Sequence, residues 1–465
     1  MKKVSKEDLL RKSKIPGINA IKMHKFYRGK IQILPRCQIR DYSDFAIWYS
    51  PGVSAPSNEI FNDVQKVYDY TNKWNSIAIV SDGTRVLGLG DIGPEAALPV
   101  MEGKSMLFKY LGGVDAIPLC IGKDQCCEAE QIIEFVKMIQ PTFGGINLED
   151  IEKPKCFSVL DGLRADPEVK IPVWHDDQQG TACVTLAGLI NSLRIVGKKK
   201  NDVKMVFNGV GSANFGIYRL LKADGFNLKK FLFVDSKGIL YQGRSDLEDS
   251  KDYKYELIDY SNPEQLQGDC GLAMEGADIL ISSSIPGPNV IKKEWISKMA
   301  DDAIVFVLAN PIPEIFPWDA LEAGARIVGT GRSDFPNQVN NSLCFPGVFR
   351  GTLDVCAKTI TDEMCIAASY ALANLVDEIK GCLIETCILP TMEYEELFIR
   401  EAVATGLKAI EQGIARFKLS EDELYSTAKK LIENSHSELK ILMKKIWYEY
   451  KYLYFKREER PPFKE

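Results

Sequence analysis

The chain has 465 residues, of which 45% are hydrophobic and 26% charged, and its formal net charge is −6. This composition is typical of a soluble globular protein with a large core and excludes a disordered chain. The acidic balance gives no support for a nucleic-acid partner, and no apolar run is long enough for a membrane span. The basic N-terminal residues precede no apolar stretch, so we predict no secretory signal and a cytoplasmic protein.

Twelve cysteines and three histidines limit the kinds of metal site that the chain can build. Without a secretory signal, the cysteines are predicted to be reduced thiols, many of them packed in the core. The histidines, His24, His175 and His436, are far apart in the chain, and no His/Cys set has the spacing of zinc ligands. Any catalytic metal is therefore predicted to be a hard cation, Mg²⁺ or Mn²⁺, bound among carboxylates.

Strand and helix patterns alternate along most of the chain. Residues 29–39 have the pattern of a short strand pair, and two apolar runs joined by Asp82 and Gly83 predict a β-hairpin. A helix is predicted after Pro99, ending at Gly112, and a buried strand follows it. Amphipathic helices replace the strands toward the C-terminus. The alternation indicates an α/β class.

A glycine-rich turn, NGVGSANFG, lies between a predicted strand and a predicted helix. Gly209 and Gly211 fill the first two glycine positions of GxGxxG, with Ser212 next, while Asn214 stands in the third position and leaves the helix–strand packing in question. Asp235, at the end of the next strand, is placed to bind an adenosine ribose. A Rossmann-like, doubly wound domain that binds NAD or NADP is predicted; the alternative is a tight turn without a ligand.

The choice between NAD and NADP rests on the residues after this strand. Asp235 favours NAD, because its carboxylate can accept a hydrogen bond from the ribose 2′-hydroxyl. Ser236, Lys237, Lys251 and Lys254 offer a hydroxyl and ammonium groups that would suit a 2′-phosphate, although lysines in such a loop are usually solvated. We favour NADP on this basis.

Two pairs of adjacent acids follow apolar, strand-like runs. Glu149 and Asp150 follow INL, and Asp176 and Asp177 follow the run that ends in VWH. Adjacent acids are usually solvated surface residues. At strand ends, however, the two pairs can converge on one cation, which would remove the repulsion between their charges.

With these motifs in this order, the sequence resembles the malic enzymes, specifically their short two-domain form. The resemblance runs from about residue 29 to about residue 354. It rests on WYSPGVSAP, SDGTRVLGLGDIGPEAALPVMEGK, NLEDI, HDDQQGTA, the glycine turn, LANPIPE and GRSDFPNQVNNSLCFPGVFRG.

The resemblance implies oxidative decarboxylation of L-malate to pyruvate and CO₂ with NAD(P) and a divalent metal. Lys104 matches the lysine that acts as general base, and Tyr49 matches the tyrosine that protonates the enol. The implied metal ligands are Glu149, Asp150 and Asp177. An exposed helix lysine and an aromatic residue in an apolar loop are the alternatives for Lys104 and Tyr49. As a base, Lys104 must be neutral, and we expect burial beside a cation to lower its pKa.

Five further positions match substrate or cofactor residues of the family. Arg85 matches the arginine that binds the substrate carboxylate, Asn310 and Asn341 match substrate-contacting asparagines, and Asn310 also lies near the cofactor. Thr181 and Ser283 match cofactor positions. The alternatives are a solvated arginine, turn-forming asparagines and hydroxyls that bond to the backbone.

The motif HDDQQGTA contains two residues that the resemblance leaves outside the metal ligands. His175 has no His or Cys partner at ligand spacing, so we interpret it as a local hydrogen-bonding group. We interpret Asp176 as an acid that orients Lys104 or a metal-bound water. The motif also departs from the common DDQHGT by placing Gln179 where the family has His, and the common YTPG is YSPG here, through Ser50.

We predict three regions: a substrate and metal domain over 1–175, a NAD(P)-binding domain over 176–340, and a helical part over 341–465 that packs back on the first domain. A homodimer is implied by the resemblance. The aromatic and basic segment 444–465 could contact a second subunit or pack on its own domain. Alternative functions on the same site are malolactic or oxaloacetate-decarboxylating activity, or a non-catalytic regulatory role.

Overall fold

The computed structural model describes Gly17 and residues 19–122, 127–247 and 252–450, with side chains as far as residue 443. The side chains of segment 444–465, for which we predicted a subunit or domain contact, lie outside the described residues.

Helices and parallel strands alternate as far as residue 330, and helices alone follow. The helices are α1 (19–27), α2 (Phe45–Trp48), α3 (Ser54–Asn62), α4 (Val67–Tyr70), α5 (Pro94–Gly112), α6 (Ala129–Ile139), α7 (Lys155–Ala165), α8 (Asp176–Val196), α9 (Ser212–Ala223), α10 (Lys254–Tyr260), α11 (Cys270–Met274), α12 (Lys293–Ile296), α13 (Pro317–Glu322), α14 (Phe345–Asp354), α15 (Asp362–Leu375), α16 (Glu396–Glu411) and α17 (Glu421–Tyr450). The strands are β1 (Ser76–Ser81), β2 (Asp115–Cys120), β3 (Gly145–Leu148), β4 (Val173–His175), β5 (Met205–Asn208), β6 (Phe231–Asp235), β7 (Gly238–Ile239), β8 (Ile279–Ser282), β9 (Ile304–Val307) and β10 (Ile327–Thr330).

The first sheet has four parallel strands in the order β2-β1-β3-β4. Its central strands, β1 and β3, are buried at every residue, as expected when helices cover both faces of a parallel sheet. The chain runs from β1 to one side and then returns to the other side, so the order reverses between β1 and β3. Ligands of such sheets bind at the carboxyl ends of the strands beside this reversal.

The second sheet has six strands in the order β10-β9-β8-β5-β6-β7, and only β7 is antiparallel to its neighbour. The order reverses between β5 and β8, whose carboxyl ends carry Asn208 and Ser282. This arrangement confirms the α/β class and the Rossmann-like, doubly wound domain.

The C-terminal helices α14 and α17 contact α5 of the first region. The ring of Phe108 on α5 lies 4.5 Å from the ring of Phe345 and 5.2 Å from that of Phe349, centroid to centroid. On α17, the Ser435 hydroxyl donates to the Lys109 carbonyl at 2.7 Å. These contacts, together with those of its own sheet, hold α5, which carries Lys104.

The predicted β-hairpin at Asp82 and Gly83 is wrong. Strand β1 pairs with β2 and β3, both parallel, and residues 82–93 form a loop with one isolated bridge between Val86 and Gly90. The reason is that β1 is buried and flanked on both sides by strands from later in the chain. Its end is turned by Asp82, whose side chain accepts a bond from the Thr84 N–H at 3.2 Å.

Three other expectations for the N-terminal region need correction. Residues 29–39 contain no strand; apolar side chains such as Ile33, 84% exposed, have no neighbouring strand there. Helix α5 begins at Pro94 rather than after Pro99, because proline fits the first helical position. Strand β2 is an edge strand with only Ala116 fully buried, which suits the proline within it.

The prediction that all the cysteines are reduced thiols is wrong. Cys382 and Cys387 form a disulfide, with Cα atoms 4.9 Å apart, within the usual range. A turn that pairs Ile384 with Cys387 returns the chain on itself and brings the two sulfurs together. No motif in residues 382–387 indicates this turn.

Helices α8 and α9 pack closely, and Gly216 allows them to do so. A Cβ atom at Gly216 would lie 2.3 Å from the Gln178 carbonyl oxygen of α8. The close packing that the third glycine of GxGxxG normally permits is therefore provided two residues later. Asn214 in the third position is buried and donates to the carbonyls of Asn208 and Gly209, at 3.0 and 2.8 Å.

We expect Gly216→Ala to lower the free energy of unfolding by about 1–3 kcal/mol, because the two helices must separate to admit the methyl group. Gly103→Ala is the matched control, since Gly103 is also helical and a Cβ atom there meets nothing within 4 Å. Chemical unfolding of both proteins measures the difference. An equal stability for the two variants would contradict the close packing.

Candidate active site

Three carboxylates meet at the carboxyl ends of β3 and β4. Glu149 and Asp150 follow β3, and Asp177 lies in the first turn of α8, directly after β4. Each offers one oxygen, and these oxygens lie within 4.8 Å of one another; no other such group of three exists among the described residues. The Asp150 N–H donates to Asp177 at 2.9 Å, and Asp150 itself adopts a φ of +53°.

The donor set of this carboxylate triad fits a hard divalent cation. Carboxylate oxygens are the preferred ligands of Mg²⁺ and Mn²⁺. Glu149 and Asp150 are buried, and one Asp150 oxygen has no hydrogen-bond partner among the described residues. A buried, unpartnered acceptor beside two other acids is what a cation at this position would satisfy.

Lys104 brings a buried ammonium group to this cluster. Its Nζ lies 3.0 Å from Glu149 Oε1, forms a short hydrogen bond with Asp176, and stands 4.2 Å from the ring centroid of Phe345. The side chain is only 9% exposed. The alternative of an exposed helix lysine is therefore wrong, because α5 turns this side chain into the space between the strand ends.

Burial and neighbouring charges shift the pKa values of Lys104 and of the acids around it. Burial alone would lower the pKa of Lys104, but the charges of Asp176 and Glu149 outweigh it and raise that pKa above its ordinary value. The lowering that we expected from burial beside a cation is therefore not seen with these neighbours alone. Burial and the neighbouring charge of Asp177 raise the pKa of Asp150 to about 8, and burial also raises that of Glu149.

Asp176 is not one of the three acids of the triad. Its Oδ1 accepts a hydrogen bond from the Trp174 indole N–H at 3.0 Å, and its Oδ2 binds Lys104. This geometry agrees with the interpretation that Asp176 orients Lys104. His175 differs from expectation: both ring nitrogens are buried without a hydrogen-bond partner among the described residues, and Nδ1 lies 3.8 Å from Asp177.

The loop after β1 brings Arg85 to the triad. The Arg85 N–H donates to the Asp150 carbonyl at 3.0 Å, and its side chain is exposed. In the same loop, a Cβ atom at Gly88 would lie 2.6 Å from the Asn310 carbonyl oxygen, so the two loops touch. The Asn341 Cβ lies beside Gly180, one turn along α8 from the acids. The three predicted substrate residues thus lie on segments that contact the triad, the Arg85 loop or helix α8.

Tyr49 is the predicted catalytic residue that the described contacts do not bring to Lys104. Its side chain is 73% exposed, and its hydroxyl has no hydrogen-bond partner in the part of the chain that the structure describes. It lies between α2 and α3, in a segment where many other apolar side chains are exposed, including Trp48 at 50% and Phe61 at 89%.

The glycine turn has the features of a pyrophosphate site. Gly209 has a φ of +95°, and a Cβ atom there would lie 2.4 Å from the Ser283 carbonyl oxygen. At Gly211 a Cβ atom meets nothing within 4 Å, so the space above it is open. Helix α9 begins at Ser212 without a side-chain cap, which leaves its first N–H groups available for an anion. Thr181 lies on the neighbouring helix α8.

Asp235, at the end of β6, is already paired with cations. Arg244 binds its two oxygens at 2.9 and 2.6 Å, and Lys254 Nζ lies at 2.9 Å. Burial would raise the pKa of Asp235, but these bonds lower it to about 2. Ser236 and Lys237 follow on the exposed side, and Lys237 Nζ pairs with Asp246 at 3.0 Å.

Reasoning from the sequence missed two residues of this region. Arg244 is nine positions beyond Asp235, and no motif marks it as a partner. Glu314 ends the motif LANPIPE, which we used for the resemblance without giving this residue a role; it is fully buried between two strand ends. A buried acid four residues after a predicted substrate asparagine was the available signal.

Two family models match the chain. The model described as malic enzyme, N-terminal domain, matches residues 28–130, and the model described as malic enzyme, NAD binding domain, matches residues 178–404. In the described part of the chain, no helix has both the length and the apolar character needed to cross a membrane.

Named relatives and solved structures agree with these matches. The bifunctional malic/malolactic enzyme of Bacillus subtilis (strain 168) is 45% identical over 89% of this chain and 97% of its own length. The NADP-dependent malic enzyme of Escherichia coli (strain K12) is 40% identical over 88% of this chain, which spans about half (54%) of that protein. The solved malic enzyme of Entamoeba histolytica is 44% identical, with a TM-score of 0.92, covering 98% of this chain and 94% of that chain.

The similarity therefore extends across both sheets and the C-terminal helices rather than over one motif. The resemblance inferred from the sequence is confirmed: the chain belongs to the malic enzyme family.

Proposed function

We propose that this protein oxidises and decarboxylates L-malate to pyruvate and CO₂ while it reduces NAD(P)⁺, with Mg²⁺ or Mn²⁺ bound. The observation that carries the proposal is the placement of Lys104. Its amine lies 3.0 Å from Glu149, a member of the carboxylate triad, in a nearly dry space beside the Arg85 loop. This reaction requires that a base, a divalent cation and a carboxylate-binding arginine all act on the same substrate molecule.

Lys104 is the group that removes the proton from the malate C2 hydroxyl as hydride leaves C2. A base must be neutral to accept a proton, so Lys104 must first lose one, and its hydrogen bond to Asp176 offers the nearest acceptor. Asp176 in turn is fixed by Trp174. The pair positions the amine and supplies a route for its proton.

The carboxylate triad of Glu149, Asp150 and Asp177 would hold the divalent cation. When bound, that cation supplies Lewis-acid stabilisation of negative charge on the C2 oxygen during loss of CO₂. Arg85, with its planar guanidinium, binds a malate carboxylate, and Asn310 and Asn341 complete the orientation of the substrate. The reaction balances without a further reactant: malate loses hydride to NAD(P)⁺ and CO₂ to solvent.

Tyr49 is the proposed proton donor to C3 of the enol. Its exposed hydroxyl must become enclosed for this role, and the exposed apolar segment around it is the surface that a second copy of the chain would cover. A homodimer is therefore part of the proposal. A cytoplasmic location stays a prediction from the sequence.

Malolactic activity is the second candidate function. It is favoured by the 45% identity to a protein named as a bifunctional malic/malolactic enzyme. Both reactions would use the same triad and lysine, but the malolactic reaction converts malate to lactate without net release of reduced cofactor. Oxaloacetate decarboxylation and a non-catalytic role are further alternatives.

The test follows reduced nicotinamide and the organic product together, with malate, Mn²⁺ and either NAD or NADP. We expect equal amounts of pyruvate and NAD(P)H. Lys104→Ala should lower kcat by about 10²–10⁴, the usual contribution of a general base. Lys293→Ala is the control, because Lys293 is an exposed surface lysine paired with Glu322 at 2.7 Å.

Binding of NAD(P)H, measured by nucleotide fluorescence, corrects the rates for the fraction of folded protein. Lactate without reduced cofactor would establish the malolactic alternative. Turnover by Lys104→Ala at the rate of the unaltered protein, or no malate-dependent turnover at all, would contradict the proposal.

NADP is the proposed preferred cofactor. The charge of Asp235, which would repel a 2′-phosphate, is compensated by Arg244 and Lys254, at 2.6 and 2.9 Å from its Oδ2. Arg244 also binds Asp246, which pairs with Lys237, so three cations face two carboxylates and leave a net positive charge where the phosphate would lie. This arrangement extends the argument from Ser236 and Lys237.

We expect Lys254→Ala to lower kcat/KM for NADP by about tenfold and to change that for NAD by much less, since about 1.5–3 kcal/mol is typical of a hydrogen bond to a charged group. The exposed Lys230 of the same domain provides the control variant, Lys230→Ala. Steady-state kinetics with both cofactors gives the ratio. A strong preference of the unaltered protein for NAD would overturn this assignment.

A further inference from the structure

Glu314 is a buried acid that lies between two strand ends of the nucleotide domain. It is 0% exposed and follows Asn310 by four residues in the loop after β9. None of the roles proposed above uses it. A carboxyl group without contact to solvent must have its oxygens satisfied inside the protein.

The hydrogen bonds to this carboxylate from the described residues come from the last residue of β8 and from the loops that follow β8 and β9, and they include one from the Ser284 hydroxyl to Oε1 at 3.4 Å. Oε1 accepts from the Ser282 hydroxyl at 2.8 Å and from the Ser284 N–H at 2.9 Å. Oε2 accepts from the Ala309 N–H at 3.2 Å. The Glu314 side chain thus connects Ala309, which precedes Asn310, with Ser284, which follows Ser283.

The loop after β8 lies at the reversal of strand order, where ligands of such sheets bind, and the loop after β9 lies next to it. The Ser283 carbonyl oxygen lies directly against Gly209 of the glycine turn. Asn310 lies against Gly88, in the loop that carries Arg85. The separation between the loops after β8 and β9 therefore sets the separation between the cofactor side and the substrate side of the site.

A chain of buried hydrogen bonds extends the connection to the glycine turn. The Asn208 amide donates to the hydroxyls of Ser282 and Ser284, at 2.9 and 3.1 Å. Asn214 donates to the Asn208 carbonyl at 3.0 Å. The residue that replaces the third glycine of the motif is thereby linked, through Asn208 and Ser282, to Glu314.

We propose that Glu314 is a positioning residue, which fixes the loop after β8 relative to Asn310 and so sets the approach of the nicotinamide to the malate C2 carbon. This inference rests on the proposed function for the identity of the two ligands. The bridge itself is a property of the protein and can be measured without either ligand.

Only an acceptor of hydrogen bonds on both oxygens can make this bridge. A glutamine has nearly the same shape, but its NH₂ group cannot accept a bond. In Glu314→Gln, either the Ser284 N–H or the Ala309 N–H faces another donor and loses its partner. An unpaired buried amide costs about 1–3 kcal/mol, enough to let one loop move.

Hydrogen exchange tests the bridge directly. In Glu314→Gln we expect at least about tenfold faster exchange in peptides that cover residues 282–286 or 307–311, and unchanged exchange in β5. Glu401→Gln is the matched control, because Glu401 is also a 0% exposed glutamate but accepts no hydrogen bond from a backbone N–H or a hydroxyl of the described residues. Unchanged exchange in both loops of Glu314→Gln would overturn the bridge.

Kinetics then tests the consequence for the reaction. We expect kcat/KM for malate to fall about tenfold in Glu314→Gln, with a larger isotope effect from malate deuterated at C2, because hydride transfer becomes slower relative to the other steps. The Kd of NAD(P)H should change less than threefold. A loss of folded protein alone would lower the apparent kcat without a change in the isotope effect.

The outcomes separate the two proposals. If the unaltered protein does not oxidise malate, the proposed function fails while the exchange result still decides the bridge. If malate is oxidised and Glu314→Gln keeps both kcat/KM and the isotope effect, or if Glu401→Gln changes them equally, the positioning role is wrong.

Discussion

The site depends on one electrostatic constraint, the burial of the Lys104 ammonium among carboxylates. A lone buried charge is costly, and so are several buried carboxylates without a cation. Lys104 forms ion pairs with Glu149 and Asp176, whereas Asp150 and Asp177 form no ion pair with a lysine or arginine among the described residues. A divalent cation bound by the triad would balance the remaining negative charge. It would also weaken the ion pair between Glu149 and Lys104.

Both sheets place residues of the site at the carboxyl ends of strands, near the reversal of strand order. The acids follow β3 and β4 near the reversal of the first sheet, and the glycine turn follows β5 at the reversal of the second. Helix α8 begins at the first sheet with Asp176 and packs on α9, whose N-terminus faces the glycine turn. The short distance between Gly216 and Gln178 keeps the two helices, and hence the two sites, together.

The sequence predicted the parts of this structure that depend on local pattern or on a whole motif. The strand, turn and helix around Gly209 and the grouping of the acids at strand ends both follow from short segments. The prediction of a hairpin at Asp82 is wrong because the pairing of strand β1 depends on segments that lie much later in the chain. The same holds for Arg244, whose partnership with Asp235 exists only once the loop has folded.

The solvent exposure of the catalytic side chains could not be predicted from the sequence either. Tyr49 and Lys104 are both catalytic positions by resemblance, yet one is 73% and the other 9% exposed. The difference arises because α5 is enclosed by the first sheet and the C-terminal helices, whereas the segment around Tyr49 packs on little of the described chain. The bridge of Glu314 required the positions of two loops that are 25 residues apart at Ser284 and Ala309.

The most direct test of the central claim is the thermal stability of the protein as Mn²⁺ is added. A cation that binds the triad of the folded protein should raise the free energy of unfolding, by about 2.7 kcal/mol at 100 times its Kd. The melting temperature should therefore rise with Mn²⁺ concentration, and much less so in Asp177→Asn. A melting temperature that does not respond to millimolar Mn²⁺, or that rises equally in Asp177→Asn, would contradict the account.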